Sequence, residues 1–396
     1  MSLSEVLRVA GRGEGVTADG RYVPFAAPGD RVDPQGAVTP GPHHQAPPCR
    51  HFPECGGCQL QHLDDAAWAG FIADRVSAAL AQHKLATEIR APLLSPPRTR
   101  RRATLHAERR GRQVLLGFTG QGSHNLIDLA ECHVLDPALF ALLAPLRGLL
   151  AALLPTSRRI NVHLALADQG VDVLLDGLEA EGLAAAEAIT AFAHRHQLAR
   201  FSMDEGLGPT ARWEPDPVTI TLGGVPVPFP PANFLQATPE GEAALVAAVQ
   251  EIVGTAGTVA DLFAGLGTFT FAFPRTKVYA AEAARDSILS LKAAAGQARR
   301  LVFADHRDLF RRPVTSADLD KFEAVVLDPP RAGAREQVAE IAKARTPLLA
   351  YVSCNPNTFA RDAEILCEGG YTLDWIQPVG QFRWSTHVEL AARFSR

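Results

Sequence analysis

From Pro239 to its end, the chain alternates strand-like and helix-like segments with a regularity that few architectures accommodate. The helical pattern GEAALVAAVQEIV leads into TVADLF. Then come KVYAAEA, RDSILSLKAAAG, RLVFAD, AVVLDPP, REQVAEIAKAR, LLAYVSC and NTFARDAEILCEG, and two strand patterns, YTLDWIQPV and HVELAARF, close the chain. Short apolar runs between amphipathic helices are buried on both faces only in a doubly wound, mostly parallel α/β sheet. Ligands of such sheets bind outside the carboxyl ends of the strands, so the residues just after each strand are the candidates for chemistry.

The upstream half is less regular. Residues 1–40 read as short strands joined by DG and PGD turns, which suggests a small β-barrel. The proline-rich run DPQGAVTPGPHHQAPP marks a boundary. A helix is expected from Asp64 to His83, and strand and helix signals alternate from Arg100 to Phe229. ALFALLAPLRGLLAALL reads there as one buried helix, and INVHLALAD with GVDVLLDG as a hairpin. The division is 1–40, 41–231 (an α+β unit) and 232–396. No apolar run reaches the ~20 residues of a membrane helix, and the start has no signal-peptide core. The expectation is therefore a soluble cytoplasmic protein without a membrane partner.

The formal net charge of −4 argues against a nucleic-acid partner, but local clusters matter more than totals. Arg98, Arg100, Arg101, Arg102, Arg109, Arg110 and Arg112 put seven cations into fifteen residues. Such a run is either a phosphate-binding patch or a solvated basic face. The six cysteines are Cys49, Cys55, Cys58, Cys132, Cys354 and Cys367. Their clustering toward the amino terminus of a cytosolic chain suggests a metal site more than disulfides.

Asp261-Leu-Phe263-Ala-Gly265-Leu-Gly267-Thr268 sits where the first strand of the alternating region ends. Its glycines permit a tight turn and close ligand approach, ahead of an expected helix amino terminus. A βα turn of this kind also occurs without a ligand. Glu282 ends the second strand, where an acid can accept both ribose hydroxyls of an adenosine. A third-strand acid is Asp308, with Asp305 the weaker choice. This set resembles class I methyltransferases, and differs from the GxGxxG dinucleotide fingerprint.

Two further strand ends carry reactive groups. In Asp328-Pro-Pro-Arg331 the prolines enforce extended backbone and hold Asp328 and Arg331 at the ligand edge. In Ser-Cys354-Asn-Pro the thiol lies one strand along, near a helix amino terminus that should favour its thiolate. Cys367, inside a helix pattern, reads instead as a small core hydrophobe. A cysteine at the ligand edge suits methylation of uracil carbon 5, a poor nucleophile. Thiolate addition at carbon 6 makes carbon 5 enolate-like. A base must then remove the carbon 5 proton, and Glu389 is the candidate.

DLFAGLGTF, DPPRAG, SCNPNTFARD and THVEL, in this order, resemble the RNA uridine-5-methyltransferase family over the last 160 or so residues. The resemblance implies that Cys354 is the nucleophile and Glu389 the base, with Asp328 and Arg331 holding the target base or the S-adenosylmethionine cofactor. It further implies that Gln236, Phe263, Gly265, Glu282 and Asp308 contact the cofactor. Thr268 stands where relatives often have asparagine, but its hydroxyl still hydrogen-bonds.

Cys49-x5-Cys55-x2-Cys58 resembles the iron–sulfur segment of the same family, with Cys132 as fourth ligand. Spacing alone leaves zinc and iron–sulfur open; the resemblance implies a 4Fe-4S cluster of structural or RNA-positioning role. GRGEGV and DGRYVPFAAPGDRV resemble a shortened TRAM domain, an OB-like RNA-binding barrel. Having both segments points to ribosomal RNA, in the 23S branch, rather than transfer RNA. The partner is thus structured RNA and not DNA, bound by a monomer. The alternative from another class is a non-catalytic RNA-binding or ribosome-assembly protein. A uridine in folded RNA must be unstacked before either ring face is reached. The arginine cluster, with Phe52 and His62 as stacking partners, is the expected source of compensating contacts.

Overall fold

The computed structural model describes residues 3–396. Its carboxyl-terminal sheet places strands in the order Val302–His306, Lys277–Glu282, Thr258–Leu262, Ala324–Leu327, Leu348–Ser353, Glu389–Ser395 and Thr372–Gly380. The first five run parallel. Glu389–Ser395 runs antiparallel to both of its neighbours. Val259, Val325, Val326, Leu349 and Ala350 are completely buried, as strands covered on both faces must be. The covering helices include Pro239–Val253, Arg285–Gln297, Arg335–Lys343 and Pro356–Glu368. Two of them start by local rules: Thr238 and Asn355 accept backbone N–H bonds as caps, each followed by a proline in the first turn.

The helix expected at Asp64–His83 spans Asp65–Gln82, and Asp64 Oδ1 accepts the Ala67 N–H at 2.7 Å. Trp68, Phe71, Ile72, Val76, Ala79 and Leu80 form its buried stripe at 3- and 4-residue spacing. That stripe packs on Pro356–Glu368 and on Thr372–Gly380. Two short strands after it, Glu88–Ile89 and Leu93–Leu94, pair parallel with Thr372–Gly380 and extend the carboxyl-terminal sheet. Residues 65–94, grouped by sequence with 41–231, therefore pack against the sheet of 232–396. The reason is close fit: a Cβ on Gly380 would stand 2.8 Å from Ile72 Cδ1 and 3.1 Å from the Trp68 ring.

The middle of the chain forms a six-stranded sheet in the order Pro209–Trp213, Arg200–Asp204, Gly170–Asp176, Arg159–Ala167, Arg102–Arg110, Gln113–Gly117. The hairpin read from sequence is present as Arg159–Ala167 with Gly170–Asp176. The single helix expected over ALFALLAPLRGLLAALL is instead two, Pro137–Ala141 and Leu143–Leu153. Pro145 is the cause. Its ring would meet the carbonyl four residues back in a continuous helix, but it is tolerated in the first turn of a new one. The strands Arg200–Asp204, Pro209–Trp213, Thr219–Leu222 and Val225–Pro228 were not legible, being short and mixed in polarity.

Residues 4–39 form a five-stranded antiparallel sheet in the order Tyr22–Val23, Gly15–Thr17, Ser4–Val9, Arg31–Val32, Val38–Thr39. Among the described residues no ladder joins its two edge strands, so it is an open sheet rather than the expected closed barrel. Its own core is small: Val6, Val23, Ala26 and Val32, with Val38 partly buried against them. The last strand lies inside the run read as linker.

Trp68, completely buried, ties the amino-terminal helix to the carboxyl-terminal sheet. Trp68→Ala is expected to cost about 3–5 kcal/mol of stability, the usual range for deleting a buried aromatic. Urea unfolding of wild type and variant measures it.

Candidate active site and cysteine pocket

The carboxyl ends of the parallel strands open into a cleft of about 1060 Å³ lined by Gln236, Phe263, Gly265, Thr268, Glu282, Asp328, Arg331, Cys354 and Glu389. Nine of the ten expected catalytic and cofactor residues thus face one cavity. Strand direction brings Glu389 there. Ser353 pairs with Leu390 in the antiparallel ladder, and one further step in that register sets Cys354 opposite Glu389. The amino end of an antiparallel strand lies at the same edge as the carboxyl ends of its parallel neighbours.

Asp308 is the exception. It follows Val302–His306 and caps a surface turn, accepting the Phe310 N–H at 3.0 Å and pairing with Arg311 at 3.5 Å. Phe310 from that turn reaches the cleft instead, 5.3 Å from Phe263 centroid to centroid. Asp305 accepts a bond from Tyr279 Oη at 2.6 Å and does not line the cleft.

The glycine turn differs from expectation in one respect. No full helix follows it, only a three-residue 3₁₀ turn, Thr270–Ala272, because Pro274 cuts the segment short. Gly265 and Gly267 have φ of 55° and 98°, values that disfavour side chains. A Cβ on Gly267 would also stand 2.7 Å from the Phe271 ring, whereas one on Gly265 would meet open space. Glu282 holds the turn, accepting the N–H of Gly265 at 2.9 Å and of Ala284 at 2.6 Å. A carboxylate offers about four lone-pair sites, so acceptor capacity for a ribose remains.

Burial dominates the electrostatics of the cleft. It pushes Glu389 up to about 7, against the Gln381 amide and the Arg102 guanidinium, which act in the opposite direction. It pushes Asp328 well above the usual carboxylate range, with Glu389, Asp261 and Glu282 adding to the effect. Asp261, beneath the turn, is raised to about 7 for the same reason; it keeps one bond from Thr270 Oγ1 at 2.5 Å and an unpartnered Oδ1. Cys354 is pushed up to about 11 by burial and by the Glu389 and Asp328 carboxylates. The helix amino terminus beside it does not outweigh them, contrary to the expected thiolate.

Gln381 and Arg102 were missed by sequence reasoning as site residues. Gln381 was invisible because nothing in GQFRW marks a functional amide. Arg102 was read only as part of a basic run, either phosphate-binding or solvated, whereas the structure places it in the cleft. Arg101 is paired with Glu242 at 2.6 Å and donates to the Gln236 carbonyl. Arg100 and Arg102 lie half-buried over the Phe382 and Phe234 rings, and both line the cleft. Only Arg98, Arg110 and Arg112 of the cluster are exposed, and Arg110 is paired with Glu108. His62 is also unavailable for stacking. It is 1% exposed, beneath Phe25, Phe52 and His44.

Cys49, Cys55, Cys58 and Cys132 line a single small pocket together with Arg100. All four are free thiols. Burial raises Cys49, Cys55 and Cys58, the last to about 12, and each is raised further by its neighbours in the cluster. Among the described residues no group of three or more His, Cys, Asp or Glu is arranged to hold a metal ion. No helix is long and apolar enough to cross a membrane among them.

Comparison with known proteins agrees with this geometry. The tRNA (Uracil-5-)-methyltransferase family matches residues 232–396. An RNA methyltransferase of Zymomonas mobilis is 48% identical over the whole of both chains. The 23S rRNA (uracil(1939)-C(5))-methyltransferase RlmD of Erwinia tasmaniensis is 30% identical over 91% of this chain and 84% of its own. The crystal structure of Pyrococcus abyssi tRNA (uracil-54, C5)-methyltransferase with S-adenosyl-L-homocysteine superposes with a TM-score of 0.77, covering 99% of each chain at 20% identity, and shares the fold. The chain belongs to the S-adenosylmethionine-dependent RNA uracil-5-methyltransferases.

The raised thiol has a measurable consequence in the RNA-free protein. Alkylation of Cys354 should rise with pH toward about 11 rather than level off near the value of a free thiol. Asp328→Asn, which removes one facing carboxylate, should lower that midpoint and speed alkylation at pH 8. Mass spectrometry of the Cys354 peptide across pH reads both.

Proposed function

We propose that the protein methylates carbon 5 of one uridine in 23S ribosomal RNA through a covalent adduct at Cys354. The observation that carries this reading is the convergence of Cys354, Glu389 and Asp328 in one cleft with the Gly265–Glu282 turn. The Cys354 thiol first loses its proton to water, the thiolate sulfur bonds to carbon 6 of an unstacked uracil, and the carbon 5–carbon 6 electron pair shifts to the enolate, whose carbon 5 takes the methyl group. Glu282, Phe263, Gly265 and Thr268, with Gln236 alongside, would hold S-adenosylmethionine, which when bound would supply the methyl group. Glu389 then accepts the carbon 5 proton, the double bond re-forms and the sulfur leaves as thiolate. Glu389 suits this step because its pKa of about 7 leaves it part ionised at neutral pH. Arg331, exposed at the cleft mouth, and half-buried Arg100 and Arg102 face the RNA strand.

Ribosomal RNA is favoured over transfer RNA because the RlmD relative, which matches along most of both chains, is named for 23S rRNA. The cytoplasm is the corresponding location. Cys49, Cys55, Cys58 and Cys132 line one small pocket, and four thiolate ligands are the set that a 4Fe-4S cluster takes. A 4Fe-4S group there would fix the loops that carry Arg100 and Phe118.

Mapping 5-methyluridine in ribosomal and transfer RNA of a deletion strain tests the reading. One 23S position should lose its methyl group. Wild-type protein should restore it and Cys354→Ala should not. Glu389→Gln should form the adduct yet stall, leaving RNA covalently bound to protein on denaturing gels. Loss of a transfer-RNA methyl group instead would move the assignment to transfer RNA.

Anaerobically purified protein should be brown and hold about four iron atoms per chain. Stoichiometric zinc without acid-labile sulfide would replace the cluster by a zinc site.

A further inference from the structure

We propose that Gln381 is a positioning residue that fixes the Glu389 carboxylate and the Gln236 amide in one arrangement, coupling the proton-abstracting end of the cleft to its cofactor end. This rests on the reading of Glu389 as the base. Gln381 directly follows the strand Thr372–Gly380 and is 1% exposed. Its Oε1 accepts the Ala237 N–H at 3.0 Å. An N–H can only donate, so the amide orientation is determined: oxygen toward Ala237, nitrogen toward the cleft. The nitrogen donates to Gln236 Oε1 at 2.8 Å. Val379 pairs with Glu389 in the antiparallel ladder, so Gln381, two residues on, projects from the same face beside Glu389, and its second hydrogen is left for that carboxylate. Every polar atom of the side chain is thereby committed, and none to solvent.

The position is also held sterically. Gly241, in the first turn of Pro239–Val253, passes so close that a Cβ there would stand 2.5 Å from Gln381 Cβ. Gln381 therefore has one place to be, and it imposes that place on two residues from distant parts of the chain. The other groups facing Glu389 are Asp328 and Cys354 from neighbouring strand ends and Arg102 from the six-stranded sheet, with His387 on its own segment. Asp328 and burial favour the neutral acid. Gln381 and Arg102 favour the carboxylate that the reaction needs.

Single-turnover decay of the methylated adduct, followed against pH, tests this. A carboxylate base gives a rate that rises with pH through its own pKa. Gln381→Met keeps the volume and removes the donor. Its rising limb should move upward by about one pH unit, with more adduct at neutral pH. Gln381→Glu keeps an acceptor for the Ala237 N–H, so it offers a second folded variant, and it sets a carboxylate against Glu389. Its limb should move further in the same direction. A limb that coincides with wild type in either folded variant overturns the proposal, since a purely structural role would lower stability without moving it. Glu389→Gln separates the two readings. If it builds no adduct, the assignment of the base fails. If it builds adduct while the Gln381 limb stays in place, only the present inference fails.

Discussion

The antiparallel pairing of Glu389–Ser395 beside Leu348–Ser353 is the constraint on which the rest depends. Parallel strands present only their carboxyl ends at the ligand edge, and four of the five such ends supply Phe263, Glu282, Asp328 and Cys354. One reversed strand inserted next to them delivers its first residue to the same edge. Cys354 and Glu389 are 35 positions apart in sequence but face one another by register. The thiol and the carboxylate need no loop to bring them together, so backbone ladders rather than flexible side chains set their relation.

Placing Asp328, Glu389 and Asp261 in one poorly solvated region has an electrostatic cost, and each is pushed toward its neutral form. The same pressure keeps Cys354 a thiol. The half-buried guanidinium of Arg102 and the Gln381 amide offset part of it. This explains why Arg102 lies beneath the surface of what the sequence presents as a basic patch. A cation is worth more beside buried carboxylates than in water. Arg101 serves packing instead, joining the six-stranded sheet to the helix Pro239–Val253 through Glu242.

Arg100 links the two functional regions, since it lines both the cysteine pocket and the cleft. The segment that carries it is stitched to the Cys132 loop by Arg98 N–H to His133 O and Arg100 N–H to Val134 O, each at 3.0 Å. Order in the cysteine loops is therefore order at the wall of the active cleft. The helix Asp65–Gln82, which follows the first three cysteines, packs on the carboxyl-terminal sheet and fixes them from the other side.

The sequence by itself determined the α/β alternation, the glycine turn, the helix caps and the strand-end residues. Each of these is encoded within a few neighbours: period, proline, glycine or an Asx cap. Nine of the ten expected catalytic and cofactor residues reached the cleft for that reason, since a strand end in a doubly wound sheet is a ligand edge wherever the strand falls. Asp308 did not, because a turn two residues beyond the strand is free to point elsewhere, and Phe310 took its place. Tertiary structure alone decided which arginines are buried, that residues 88–94 extend a sheet nearly three hundred residues away, and that Gln381 donates to Gln236 across the chain. None of these has a local signature. A charge run looks the same whether its partners are water or a distant glutamate, and a two-residue strand exists only because another strand offers it an edge.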